Sequence, residues 1–318
     1  MPFLFQPIRD LAWLLTAAPM MGPDIQGFPQ PPADWLASAA AEALPWLSEL
    51  DDQPKDLQRH LARTEFAHGQ HFRLGRQAEQ LLAFWLANRT GGSLVATGVV
   101  VREGLHVLGE LDFVFRDRQR GLIHWEAAVK FYLRGEANTS WDAYRGPNPR
   151  DSLRAKVWHM RQHQLPMASD RRARIALNIS DEPLISEAFL RGWLFYPADG
   201  EWRAPTFAPD GVHPDHPRGW WLRHGAIDPP CSARSSRFLL PARPDWLAPL
   251  HRPDDGTTKP LAQGEMVAAL VRHFHQHDDP RLVCELRRDG DGWWQEIARG
   301  FVVHPRWPEV HEAPGTQH

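Results

Sequence analysis

Glu79, Asp112, Glu126 and Lys130 are the residues of this chain whose types and spacing suit metal-assisted hydrolysis of a phosphodiester. Carboxylate oxygens are the hard ligands that Mg2+ (or Mn2+) prefers. The metal neutralises phosphate charge and lowers the pKa of a bound water, while an ammonium group orients that water or stabilises developing charge. Strand alternation supplies the geometry. In ELDFVFR (110–116), Leu111, Phe113 and Phe115 should share one face, with Glu110, Asp112 and Val114 on the other. In HWEAAVKFY (124–132), Trp125, Ala127, Val129 and Phe131 form the apolar face, opposite His124, Glu126, Ala128, Lys130 and Tyr132. Glu79 comes from a mostly apolar helical stretch. We expect the four groups to converge in one cleft, with at least one carboxylate pKa raised by mutual repulsion and partly offset by Lys130.

The elements that must hold these residues are readable from periodicity. Residues 8–18 and 34–50 have helical spacing and flank the Pro/Gly-rich stretch Pro19–Pro32. From 56 to 88 the pattern is again helical, with Leu74, Ala78, Leu81, Leu82 and Trp85 on one face and Gly91-Gly92 as the stop. Ser93–Val101, His106–Arg116 and Leu122–Leu133 read as three strands of an antiparallel meander. Beyond the Gly146–Pro149 loop, a helix is expected over 151–164, with Asp151 as N-cap. Strands are expected at Ile175–Ile179 and Phe189–Tyr196, a helix at 261–277, and strands near 281–287 and 298–303.

The helix with LGRQAE (74–79), the strand with GELD (109–112) and the strand ending EAAVK (126–130) together resemble the PD-(D/E)XK nuclease superfamily in order and separation. More narrowly, the chain resembles an uncharacterised bacterial family placed within that superfamily. The likeness runs through RDLAWLL, LGRQAE, GELDFVF, WEAAVKFYL and GPNPRDSLRAKVWHMRQHQL, and continues more loosely in RGWLFYP and VVHPRWP. It implies an α/β fold with a restriction-endonuclease-like central mixed sheet flanked by helices. A helical segment (1–68) would pack on the nuclease-like core (69–200), and an irregular α+β elaboration (201–318) would follow. It further implies a Mg2+-dependent nuclease: Asp112, Glu126 and Glu79 as metal ligands, Lys130 positioning the nucleophile. One departure is specific. The superfamily places its acidic residue two before the lysine, and Ala128 stands there. Glu126 lies two further back, its Cα about 13 Å from that of Lys130 in a regular strand, and Glu110 is a possible substitute.

Composition sets the outer bounds. The 318 residues carry a net charge of −3, so a uniformly basic nucleic-acid coat is excluded. The charge is uneven: Arg145–Arg174 holds eight Arg/Lys against two Asp. Arg150, Arg154, Lys156 and Arg161 are expected to face a phosphate backbone, with Gln164 at the edge of the active site. Nucleic acid, DNA before RNA, is therefore the expected partner. With two cysteines, a secreted disulfide framework is not expected and a zinc site built on several thiolates is excluded. With no membrane-length apolar run and no basic leader, a cytoplasmic protein is expected. The pairs His159/His163, His213/His216 and His273/His277 read as surface groups, and Trp220-Trp221 and Trp293-Trp294 as packing residues. The rival to an enzyme is a non-catalytic nucleic-acid-binding or interaction module that keeps the fold with an incomplete site.

Overall fold

The structure is a computed structural model describing residues 3–68, 74–135, 138–179, 182–199, 201–205, 208–226 and 228–309. Four helices come first: α1 (Gln6–Thr16), α2 (Ala33–Asp52), α3 (Lys55–His68) and α4 (Leu74–Asn88). The meander follows as β1 (Gly92–Glu103), β2 (His106–Asp117) and β3 (Gly121–Arg134), with β4 (Tyr144–Arg145) beside it. Next come α5 (Leu153–His159), a π-helical turn (Met160–Gln164), α6 (Leu165–Met167) and α7 (Arg171–Ala176). The remainder is β5 (Leu184–Pro197), β6 (Arg218–Arg223), β7 (Arg237–Leu239), β8 (His251–Pro253), α8 (Gln263–Phe274), β9 (Arg281–Arg288) and β10 (Trp293–Val303).

One mixed sheet joins the strands in the order β1-β2-β3-β5-β6-β10-β9-β7, with β4 and β8 paired at its sides. Its centre is parallel, since β3 pairs β5, β5 pairs β6 and β6 pairs β10 in that sense. The outer pairs are antiparallel. The mixed sheet flanked by helices agrees with expectation, and the strands after residue 200 extend it. The alternating residues of β3 explain the layering. Ile123, Trp125 and Ala127 bury against α1, α2 and α4, while Tyr132 packs on the other side with Leu153, Val157 and Met160. Trp220 and Trp221 are buried, as packing residues should be.

Three expectations fail for local reasons. Ile175–Ile179 is not a strand. Asp170 accepts the backbone N–H of Arg172 and starts α7, and Asn178, at φ 53°, ends it. The N-cap of α5 is Ser152, whose hydroxyl accepts from Ala155 N, and Asp151 stays outside the helix. Finally, Leu111 does not share a face with Phe113. It packs with Val114, Leu122 and Ala173, while Phe113 joins the α4 side. The cause is a kink. Gly98, between the β1 residues that pair Phe113 and Leu111, has φ +61°, and a Cβ there would come within 2.9 Å of the Glu110 carboxylate.

Candidate active site

The kink opens a fork in the sheet. β2 and β3 pair from Asp117/Gly121 only as far as Phe113/Trp125; beyond that point β2 stays with β1 while β3 continues along β5. Asp112 is the first residue past the split. Its Oδ2 accepts the Ala127 N–H at 2.9 Å, standing in for the backbone acceptor that β2 no longer offers. Glu126 faces the α5 side at the same level and is 1% exposed. Because the sheet is open here, groups from both layers meet. Glu79 comes from α4 on one side, and Lys156 and Gln164 come from α5 and the π turn on the other. The π turn adds one residue to the helical repeat, closing with Leu165 N–H on Met160 O, and so carries Gln164 round to Glu126.

Three carboxylates in half-buried surroundings titrate high. Burial, then the neighbouring Asp112, pushes Glu126 up to about 9, against the pull of Lys156. Burial and Asp112 push Glu79 up to about 7. Burial also raises Asp112, although its Ala127 hydrogen bond and Lys156 oppose the shift. The expected repulsion is thus present, but the cation that offsets it is Lys156. Its Nζ lies 3.9 Å from Glu126 Oε1 and donates to Gln164 Oε1 at 3.0 Å. Gln164 Nε2 in turn donates to Glu126 Oε1. Burial lowers the Lys156 pKa, with Lys130 adding to it and Glu126 opposing.

Lys130 stands further out. Its ammonium donates to Asp151 Oδ2 at 2.8 Å, and Asp151 is exposed at the rim of the cleft. Of the residues expected on the phosphate-facing side, Arg150 is exposed and Arg154 is paired with Asp142 at 3.0 Å. Arg161 turns inward against Gly27, and Lys156 turns into the fork. Gln164 donates from Nε2 to Glu126 Oε1. Glu110 is exposed on the β1–β2 ribbon next to Gly98. What the strand patterns did not offer was the inner lysine: Lys156 sits three residues before the exposed His159 on a short helix, and only the i, i+8 reach to Gln164 marks its direction.

The donor set suits a hard divalent cation. Glu126 Oε2 is buried and has no hydrogen-bond donor, so either a cation or a proton shared with Asp112 must satisfy it. Among the described residues no group of three or more His, Cys, Asp or Glu side chains is drawn together as a ready-made cage. Mg2+ needs none, since it commonly takes one or two protein carboxylates and fills its shell with water and substrate phosphate. The rings of His159/His163 and of His273/His277 lie tilted at 5.2 Å, and His216, expected at the surface, is buried against Tyr196. No described helix is long and apolar enough to cross a membrane. Neither a curated protein nor a solved structure matches the chain. The profile of a domain of unknown function, DUF1853, matches residues 9–303, and the protein belongs to that family.

Proposed function

We propose that this protein is a Mg2+-dependent nuclease and a divergent relative of the PD-(D/E)XK enzymes, acting on DNA or RNA in the cytoplasm. The observation that carries the reading is the fork itself. Two carboxylates, the half-buried Asp112 and the buried Glu126, stand where the sheet splits, with Glu79 from one helical layer and Lys156 from the other. Asp112 and Glu126 would hold the metal, with Glu79 completing the shell directly or through water. Bound there, Mg2+ would supply charge neutralisation for the phosphate and an acidified water. The chain's own groups have separate tasks. Ala127 N–H fixes the Asp112 carboxylate, and Gln164 bridges Glu126 and Lys156 through its two amide atoms. Lys156 is the ammonium nearest the carboxylates and takes the positioning role that the sequence pattern assigned to Lys130. Lys130, with Arg150, lies at the mouth, where a phosphate backbone would enter.

The test is cleavage of single- and double-stranded DNA and RNA at low salt with Mg2+ or Mn2+. Asp112→Asn should abolish cutting while sparing the fold, because it removes a ligand charge with little change in shape. The alternative is a nucleic-acid-binding module with a degenerate site, favoured by Ala128 and by the engagement of Lys130 with Asp151. Salt-sensitive binding that Asp112→Asn leaves unchanged, with no cleavage of any substrate, would establish that alternative.

A further inference from the structure

Among the described residues two arginines, Arg191 and Arg299, are each only 1% exposed, and they are treated very differently. Arg299 is 1% exposed and donates to Glu296 and to the carbonyls of Trp246, Leu247 and Ala248. Arg191, on β5, is also 1% exposed, but its Nε donates to Leu14 O at 3.0 Å and its Nη2 has no partner at all. Two features soften this. The guanidinium lies 4.1 Å above the Phe189 ring, and Leu14 O belongs to the last turn of α1, the negative end of that helix. Neither is a counter-ion. Burial lowers the Arg191 pKa to about 9, which leaves it charged at neutral pH, and no acidic group figures among the influences on it.

Arg191 lines a cavity of about 470 Å3 between the end of α1, the start of α2 and the loop joining them. That size falls within the range of roughly 300–1,000 Å3 usual for small-molecule sites. The walls are mainly apolar, with Leu15, Met21, Leu36 and Ala40 among them. Gln30 also lines this cavity; its Oε1 is buried without a partner, and its Nε2 donates to Gly22 O at 2.6 Å. An apolar cleft with a buried, unpaired cation is a site for an anion with a hydrocarbon body, and the spare Gln30 acceptor suits a hydroxyl on that body. The fork is on the other side of the sheet: Arg191 pairs with Val129 of β3 and faces α1, whereas Glu126 faces α5.

We propose that this cavity binds a small amphiphilic carboxylate, its carboxyl group paired with Arg191 and its apolar body seated between α1 and α2. Arg is the side chain best shaped for such a partner, since its planar fork meets both carboxylate oxygens. The site does not depend on the nuclease reading and would stand if that reading failed.

The test uses the full chain at pH 7 and a panel of straight-chain carboxylates of four to twelve carbons, with and without a hydroxyl, each against its matched alcohol. Calorimetric titration should find a panel member that binds one to one and raises Tm, with the alcohol at least tenfold weaker. Arg191→Met, which removes an unpaired buried charge and keeps an apolar chain of similar length, should fold and lose at least tenfold in affinity. Ala37→Trp, on the exposed side of α2 at the cavity wall, keeps Arg191 and should block binding by filling the space. Absence of binding across the panel at millimolar concentration overturns the proposal. So does an alcohol binding as well as its acid, or binding that neither substitution weakens.

Discussion

The fork at Asp112 and the knot around Arg299 both bury charge, and they resolve it in opposite ways. In the knot, Arg299 has each donor engaged, and Glu296 also accepts Leu250 N–H at 2.8 Å. Burial alone would lower the Arg299 pKa; Glu296 beside it carries the balance upward. In the fork, Glu126 keeps one oxygen without a donor and the nearest ammonium stays 3.9 Å away. A satisfied cluster of this kind fastens elements together: Arg299 ties β10 to the 246–248 segment. An unsatisfied one retains free valence for a ligand, and it stands where the β2–β3 pairing ends. Incomplete pairing, rather than burial or charge, is what separates a candidate site from a strut here.

The largest effect on folding is expected in the knot. Glu296→Gln leaves Arg299 buried with only carbonyls for partners, and removing one member of a buried pair costs about 3–5 kcal/mol. Denaturant titration would measure it. A loss below about 1 kcal/mol would mean that the carbonyls alone satisfy the guanidinium, and the contrast with the fork would weaken.

Next in size is Asp10, at the other edge of the knot. Its oxygens accept from Gln6, Gln77 and Ala248, yet burial pushes its pKa from 3.8 up to about 7. The folded chain therefore binds more protons than the unfolded one between those values, so this group's contribution to stability falls as pH rises through that window. Asp10→Asn removes the titration. Gln77 Oε1 is buried without a partner, so its amide can turn to accept from the new Asn N–H. Relative to the wild type, the variant should gain stability from pH 4 to 7, about 3 kcal/mol, and then level off. A constant gap across that range would place the Asp10 pKa near its ordinary value.

How much of this was legible in the sequence differs between the two regions. The meander was readable because β1–β3 alternate over a dozen residues and their turns carry glycine, notably Gly104 and Gly121 at φ +59° and +80°. The expectation that Asp112 and Glu126 project from neighbouring strands into one cleft rests on that alternation. The fork itself was not readable. Alternation presumes a regular strand, and the left-handed Gly98 breaks it, turning Leu111 to the opposite face from Phe113. The inward turn of Lys156 was not readable for a related reason: it is one of several basic residues on a helix expected to face a phosphate backbone, and only the π turn that carries Gln164 shows which way that helix points. The knot left no trace, since Asp10, Glu296 and Arg299 meet only when α1 and β10 come together across the whole chain. Short apolar runs are ambiguous between helix and strand, and Asp170, as a cap, decided the segment at 175–179.

The smallest effect on folding, and the sharpest statement about the fork, belongs to Glu126→Gln. With its pKa near 9, Glu126 carries a proton at pH 7 in the metal-free protein. Glutamine reproduces that neutral form closely: its oxygen accepts from Gln164 and its N–H can face Asp112, the direction in which Oε2 now lacks a donor. Stability without metal should therefore change by less than about 1 kcal/mol, as for an uncharged isosteric replacement. With millimolar Mg2+ the two proteins should part. The wild type should gain Tm because the ion binds only the folded fork, and the variant should gain little. Cleavage should fall about as far as in Asp112→Asn, since Glu126 then supplies the ligand missing at Ala128. A Glu126→Gln protein that still cuts and still gains Tm with Mg2+ would move that ligand to Glu79 or Glu110. Lys156→Met and Lys130→Met complete the comparison: loss of the inner lysine should slow cutting more, while loss of the outer one should chiefly weaken binding and reduce its salt dependence. The reverse order would return the positioning role to Lys130.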